Sequence, residues 1–142
     1  MSFTEEEVAY LRSQPIARLA TLGAEEQPDV VPVAVEFDGQ FFWVGGIGQT
    51  VLETRKFRNV QAGRRRVALV VDDVVSVDPF IARSLRVYGE AEGPFERAGM
   101  VGPGIFLRIT PTISWSWNLA GEPAGNSWYE PTRTIHQRHE SR

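Results

Sequence analysis

One short segment concentrates the chemistry-bearing residues of this chain. Residues 51–61 read V-L-E-T-R-K-F-R-N-V-Q. On a helical wheel advancing about 100° per residue, Leu52, Phe57 and Val60 mark an apolar arc. Lys56 falls inside that arc, Asn59 lies close to Leu52, and Arg55 and Arg58 flank the opposite side. Lys56 is the only lysine among fifteen basic residues, the other fourteen being arginines. An ammonium aimed at a buried face without a partner is costly, so an anion or a carboxylate beside Lys56 is expected. A lysine whose stem packs while its head reaches water is the other reading, and the residues leave both open.

The remaining candidates are weaker. There is no cysteine, which removes disulfides, thiolate metal sites and cysteine nucleophiles. The two histidines, His136 and His139, have a spacing that could hold a metal on a helix, but their polar surroundings predict a solvated tail and no metal site. Gly45-Gly46-Ile47-Gly48 lacks the spacing of a dinucleotide or phosphate loop and reads as a hinge. Arg64-Arg65-Arg66 reads as a solvated strand entry, with contact to an anion as the alternative. No acid, base or nucleophile stands out as catalytic.

The chain of 142 residues suits one domain, with 42% hydrophobic and 23% charged residues. A net charge of −3, with eighteen acidic residues offsetting the arginines, argues against a nucleic-acid-binding barrel. No apolar run reaches the roughly 18 residues of a membrane span, and no basic-then-apolar leader is visible, so a cytoplasmic protein without membrane contact is expected.

These residues need elements to position them. Thr4 and Glu7 form a capping-box pattern for a helix over about residues 4–13, stopped by Pro15. Strands are predicted at 16–22, 30–37, 40–45, 66–71 and 82–91, with Asp38-Gly39 as a hairpin signal. Thr50 and Glu53 predict a second capping box opening a helix over 51–61, closed by Gly63. Residues 92–103 read as a loop. From Ile105 to Leu119 apolar residues hold the odd positions, which predicts one long strand with a single buried face, bent at Pro111. That face would include Trp115 and Trp117. Residues 1–120 would form the domain and 121–142 an arm or tail of it. Six successive strands without crossover helices give a mainly β, antiparallel, six-stranded barrel with short flanking helices. The strand around Val30–Val35 is too apolar to face water, so a second subunit is expected to cover it.

The segments A-R-L-A-T-L-G (17–23), Q-P-D-V-V-P-V (27–33), T-R-K-F-R-N (54–59), R-V-A-L-V-V-D-D (66–73) and V-Y-G-E-A (87–91) together resemble the flavin and deazaflavin oxidoreductase superfamily. This is the split β-barrel group related to pyridoxamine 5′-phosphate oxidase. L-R-I-T-P-T-I-S-W (107–115) resembles the closing strand of the subgroup that uses the deazaflavin coenzyme F420. The resemblance spans about residues 4–120. It implies a homodimeric split barrel with cofactor sites between the subunits. The basic helix would hold the cofactor phosphate through Arg55, Lys56 and Asn59, with Phe57 and Arg58 in the same motif. Val30, Val31, Pro32 and Val33 would run beside the ring system, and Val44 with Gly45 would complete that wall. The other subunit would contribute from Pro79–Arg83, notably Phe80 and Arg83. The Trp and Arg-rich closing motif by which true pyridoxamine phosphate oxidases read their substrate has no counterpart here.

The resemblance implies an oxidoreductase passing hydride between F420 and a small conjugated molecule, on which Tyr88, Trp115, Trp117 or Phe80 could stack. Both tryptophans as plain core residues is the competing reading. An FMN-dependent oxidase or reductase of the same fold is one alternative to this function. A non-catalytic cofactor- or haem-binding protein, with His136 as an axial ligand, is another.

Overall fold

The computed structural model describes residues 2–136. Its first helix, α1 (Glu5–Ser13), starts where the sequence places it. The Thr4 hydroxyl accepts from the Glu7 amide at 3.1 Å, and the Glu7 carboxylate accepts from the Thr4 amide at 3.0 Å. Two otherwise unpaired amides are thereby satisfied at once.

Seven strands follow: β1 (Ile16–Leu22), β2 (Pro28–Phe37), β3 (Phe42–Gly46), β4 (Arg66–Ser76), β5 (Ile81–Gly99), β6 (Gly102–Trp117) and β7 (Pro131–Ile135). They pair antiparallel in the order β3-β2-β1-β4-β5-β6-β7, and β3 also pairs with β6. That extra pairing closes a six-stranded barrel. The split arises on β6, whose residues 105–109 bond β3 while residues 113–117 bond β7. Gly45 sits at the closure facing Phe106, where an added Cβ would collide with the Ile105 carbonyl. The interior is filled by alternating apolar residues, among them Leu19, Phe42, Val44, Leu69, Leu85, Leu107 and Ile109, each at most 1% exposed.

Four expectations need correction. The helix over 51–61 is two pieces, a 3-10 turn (Gln49–Glu53) and helix α2 (Arg55–Gln61). The Thr50–Glu53 box does not form. Gly48 caps the 3-10 turn without a side-chain bond, and Thr54 directs its hydroxyl to the Val51 carbonyl at 2.7 Å. Residues 92–103 are no loop, because β5 and β6 continue as a hairpin that turns at Met100-Val101. Within the 121–142 arm, Pro131–Ile135 extends the sheet as β7.

The fourth correction concerns β6. Opposite Tyr88 and Gly89 stand Ile113 and Pro111, so Thr112 is the extra residue of a bulge. Alternation therefore changes phase. Ile105, Leu107, Ile109 and Pro111 are buried, and beyond the bulge Ser114 and Ser116 take the inner positions. Trp115 and Trp117 move to the outer face, half-buried, and are not core residues. Among the described residues, no helix is long and apolar enough to cross a membrane.

Candidate cofactor site

Phe57 (0% exposed) and Val60 (4%) pin α2 to the barrel. Truncating a buried phenylalanine of this kind costs about 3–5 kcal/mol. Phe57 is thus an anchor inside the core and touches no cleft. With that face fixed, Arg55 and Arg58 are turned outward and exposed. The Asn59 amide donates to the Thr21 hydroxyl at 2.9 Å, which ties α2 to the end of β1. After the helix, the Arg64 amide donates to the Asn59 carbonyl at 3.2 Å, and this folds Arg64 back beside Arg58.

The result is a cleft of about 450 Å³ between α2 and the β1–β2 turn. Its walls include Gly23, Gln27, Arg55, Arg58, Asn59 and Arg64, with Asp29 as the one carboxylate among the described residues. Three guanidiniums converging on one concavity make a site for an anion with several oxygens. Of the residues expected here, Arg55, Arg58 and Asn59 line the cleft. Lys56 is half-buried and is not one of the walls, although its ammonium feels the charge of Asp29, which is. Burial holds its ammonium below the ordinary lysine value, and the charge of Asp29 works in the opposite direction. Arg64, read from the sequence as a strand entry, is a wall of the cleft. Its signal was present in the triple-arginine run but carried no direction.

A second concavity, about 620 Å³, lies on the outer face of β1, β4 and β5. Ala20 and Ala68 form its floor, and Leu22, Arg66, Tyr88 and Thr112 stand around it. Register explains the shape. Val30, Ala20, Ala68, Tyr88, Ile113 and Ile135 are successive cross-strand partners from β2 to β7. Two alanines in the middle of such a row leave a trough between larger neighbours. Thr21, which precedes the β1–β2 turn, lines the trough and bonds Asn59 of the cleft, so the two concavities adjoin.

The outer positions of β2 add to this surface. Val30 is 67% exposed, Pro32 is also exposed, and Val31 is half-buried. Val33 and Val44 are buried in the barrel, so they brace the wall from behind. Gly45 opens instead on a small apolar recess with Ala34, Ile47 and Met100.

Phe80 and Arg83 lie elsewhere on the same chain. Phe80 packs against Trp128 at 6.2 Å. Arg83 is held by both oxygens of Asp73, at 3.1 and 2.6 Å, and the Tyr10 hydroxyl donates to Asp73 at 2.7 Å. Tyr88 lines the trough, and Trp115 meets it edge-on at 4.9 Å. His136 is not in a solvated tail. Its Nε2 is 2.8 Å from the Ser114 hydroxyl and its ring is 4.3 Å from that of Phe3, and burial lowers its pKa. His139 lies outside the described residues.

Comparison with known proteins agrees with this architecture. The family model described as pyridoxamine 5′-phosphate oxidase matches residues 3–97. A protein of Streptomyces rimosus subsp. rimosus named 5a,11a-dehydrotetracycline/5a,11a-dehydrooxytetracycline reductase is 39% identical over 126 residues, covering 86% of this chain and 87% of that protein. A conserved hypothetical protein of Mycobacterium tuberculosis superposes with a TM-score of 0.63 at 21% identity, covering 88% of this chain and 92% of the other. A structure described as an F420 reductase superposes with a TM-score of 0.54 at 21% identity, covering 73% and 92%. With its closed six-stranded barrel and this match over most of its length, the chain belongs to the pyridoxamine 5′-phosphate oxidase family of split β-barrels.

Proposed function

We propose that this protein is an oxidoreductase that transfers hydride between coenzyme F420 and a small conjugated organic substrate, at a site completed by a second copy of the chain. The observation that carries the reading is the adjacency of a three-arginine cleft and a trough floored by two alanines. F420 joins a planar ring system to a tail bearing a phosphodiester and carboxylates, and the two concavities match those two halves. When bound, the coenzyme supplies the hydride chemistry.

The chain's own residues bind, orient and exclude water. Arg55, Arg58 and Arg64 take the acidic tail through charge-assisted hydrogen bonds, and Lys56 adds a point charge. Asn59 and Thr21 hold α2 at the right distance. The outer row through Val30, Pro32, Ala20 and Ala68 gives the ring an apolar surface. A second copy laid on that row covers it and delivers Phe80 and Arg83 from its own β4–β5 hairpin. The dehydrotetracycline reductase among the relatives supports reduction of a small organic substrate, and the F420 reductase among the structural neighbours shares the fold.

Paired fluorescence titrations with F420 and FMN test the reading. Micromolar or tighter F420 binding, with substrate reduction above a protein-free control, is expected. Binding of FMN alone makes the protein a flavin enzyme of the same fold. Tight binding without turnover makes it a cofactor carrier.

A further inference from the structure

Four half-buried arginines lie on β5 and β6. Three of them face a carboxylate: Arg83 faces Asp73, Arg97 faces Glu36 and Arg108 faces Glu92, at 2.6, 3.4 and 2.6 Å. The fourth, Arg86, has no carboxylate within ion-pair distance among the described residues. The other three also lie over aromatic rings, but Arg86 has the rings alone. Its guanidinium carbon lies 4.3 Å from the Trp115 ring centre, 5.2 Å from Tyr88 and 5.5 Å from Trp117. Its Nε is buried with no hydrogen-bond partner.

A guanidinium stacked on ring faces keeps its charge and loses water, while its donor edge stays available in the plane. An unsatisfied donor at such a place costs free energy unless something accepts from it. Arg86 is two residues from Tyr88 on the same face of β5, so about 7 Å separates it from a wall of the trough. The bulge at Thr112 brings Trp115 and Trp117 to this face. Without the phase change they would point into the core and Arg86 would keep only Tyr88 beside it.

We propose that Arg86, bedded on Tyr88, Trp115 and Trp117, recognises a planar delocalised oxygen anion on the substrate. The matching group is a carboxylate, or the vinylogous equivalent in an enolised dicarbonyl, conjugated to a ring. Its two oxygens accept from the guanidinium edge while the attached ring extends toward the trough. The inference rests on the reductase reading only for the statement that the bound molecule is a substrate. It makes charge the basis of selection at a site where shape and apolar contact alone discriminate weakly.

Tryptophan fluorescence of the full-length protein tests this with matched probes. Naphthoate and naphthamide share a shape and differ in charge. Hydroxynaphthoquinone, an anion at neutral pH, and its neutral methoxy ether do the same for the vinylogous group. The wild-type protein is expected to prefer the anion of at least one pair by about tenfold or more, the scale of one charge-assisted bond. The favoured pair tells carboxylate from vinylogous acid. Arg86→Gln should abolish the preference, and Arg86→Lys, which keeps charge and loses the fork, should retain part of it. Equal affinity for charged and neutral probes in the wild-type protein overturns the proposal without any variant. So does a preference that persists in Arg86→Gln, or an Arg86→Gln protein that sediments as a monomer with its preference intact, which would make Arg86 an interface residue. If F420 and FMN both fail to bind while the anion preference holds, the reductase reading falls and the anion site stands. If F420 binds and the preference is absent, the opposite follows.

Discussion

Asn59 donates to Thr21 across 2.9 Å, from the middle of α2 to the end of β1. Thr21 is 5% exposed, so this bond is made largely out of water. Among the described residues it is the one side-chain hydrogen bond joining the basic helix to the barrel wall, and it sets the width of the cleft. Thr21→Val keeps the volume and removes the acceptor. The expected loss is about 1 kcal/mol of stability and, through the displaced helix, about fivefold in F420 affinity. Thermal melts and the fluorescence titration read the two effects separately.

The cleft charge is the second prediction. Arg58→Ala and Arg64→Ala should each weaken F420 binding by about tenfold, and raised salt should weaken it further. Arg12→Ala, at an exposed position of α1 outside the cleft lining, should leave the titration unchanged. If Arg64→Ala has no effect, the tail does not run along the end of α2.

Lys56 gives a pH signature. Its folded pKa is lowered, chiefly by burial, so its positive charge is lost at a lower pH than in an ordinary lysine. Anion affinity that depends on that charge is full below the lowered pKa and falls as pH rises through it. F420 affinity measured from neutral to alkaline pH should decline before an exposed lysine would deprotonate. Lys56→Arg should flatten the decline, because a guanidinium stays charged.

Much of this site is readable in the sequence because it rests on short-range rules. The Thr4–Glu7 cap, the Asp38-Gly39 hairpin and the anchoring of α2 by Phe57 and Val60 each depend on neighbours within a few residues. The six-stranded closure follows from strands that succeed one another without crossovers. What escaped depends on pairing. The long alternation from Ile105 to Leu119 gives no sign that Thr112 is extruded, because the bulge is defined by Tyr88 and Gly89 on another strand. Gly89 allows it, as an added Cβ there would press on the Thr110 carbonyl at 2.7 Å. The Thr50–Glu53 pair has the letters of a capping box, yet the helix starts at Arg55, four residues after the expected position. Arg64 is recognisable as a cation from sequence, but only the turn after α2 aims it.

Tyr10, Asp73 and Arg83 form a lock between α1 and the β4–β5 hairpin. The Arg83 hydrogen bonds, the largest influence, hold the Asp73 carboxyl below its ordinary value, and Tyr10 adds to the effect against the penalty of burial. A carboxylate whose folded pKa is depressed contributes stability that is present above its unfolded pKa, near 4, and is lost as pH falls through the folded value. Asp73→Asn should therefore lower stability at neutral pH and flatten its loss in acid. Urea unfolding at neutral pH and at successively lower pH values measures both. Tyr10→Phe should cost about 1 kcal/mol without changing the acid limb as much, since the guanidinium stays in place.

The outer row from Val30 to Ile135 decides whether two copies meet here. Val30 is 67%, Tyr88 41% and Ile135 59% exposed on the isolated chain, and all three stand on one cross-strand line with Ala20 and Ala68. A barrel that stayed alone in water would gain nothing from an apolar line of this length, whereas a second copy would bury it and cover the trough. Val30→Glu places a charge on that line without touching the core, because Val30 points away from it. Sedimentation should shift from dimer to monomer while the melting temperature of the chain itself changes little. F420 affinity should fall with the same variant, since the ring loses its cover. A Val30→Glu protein that remains dimeric would put the interface on another face. A monomer that still binds F420 as tightly would show that one chain completes the site.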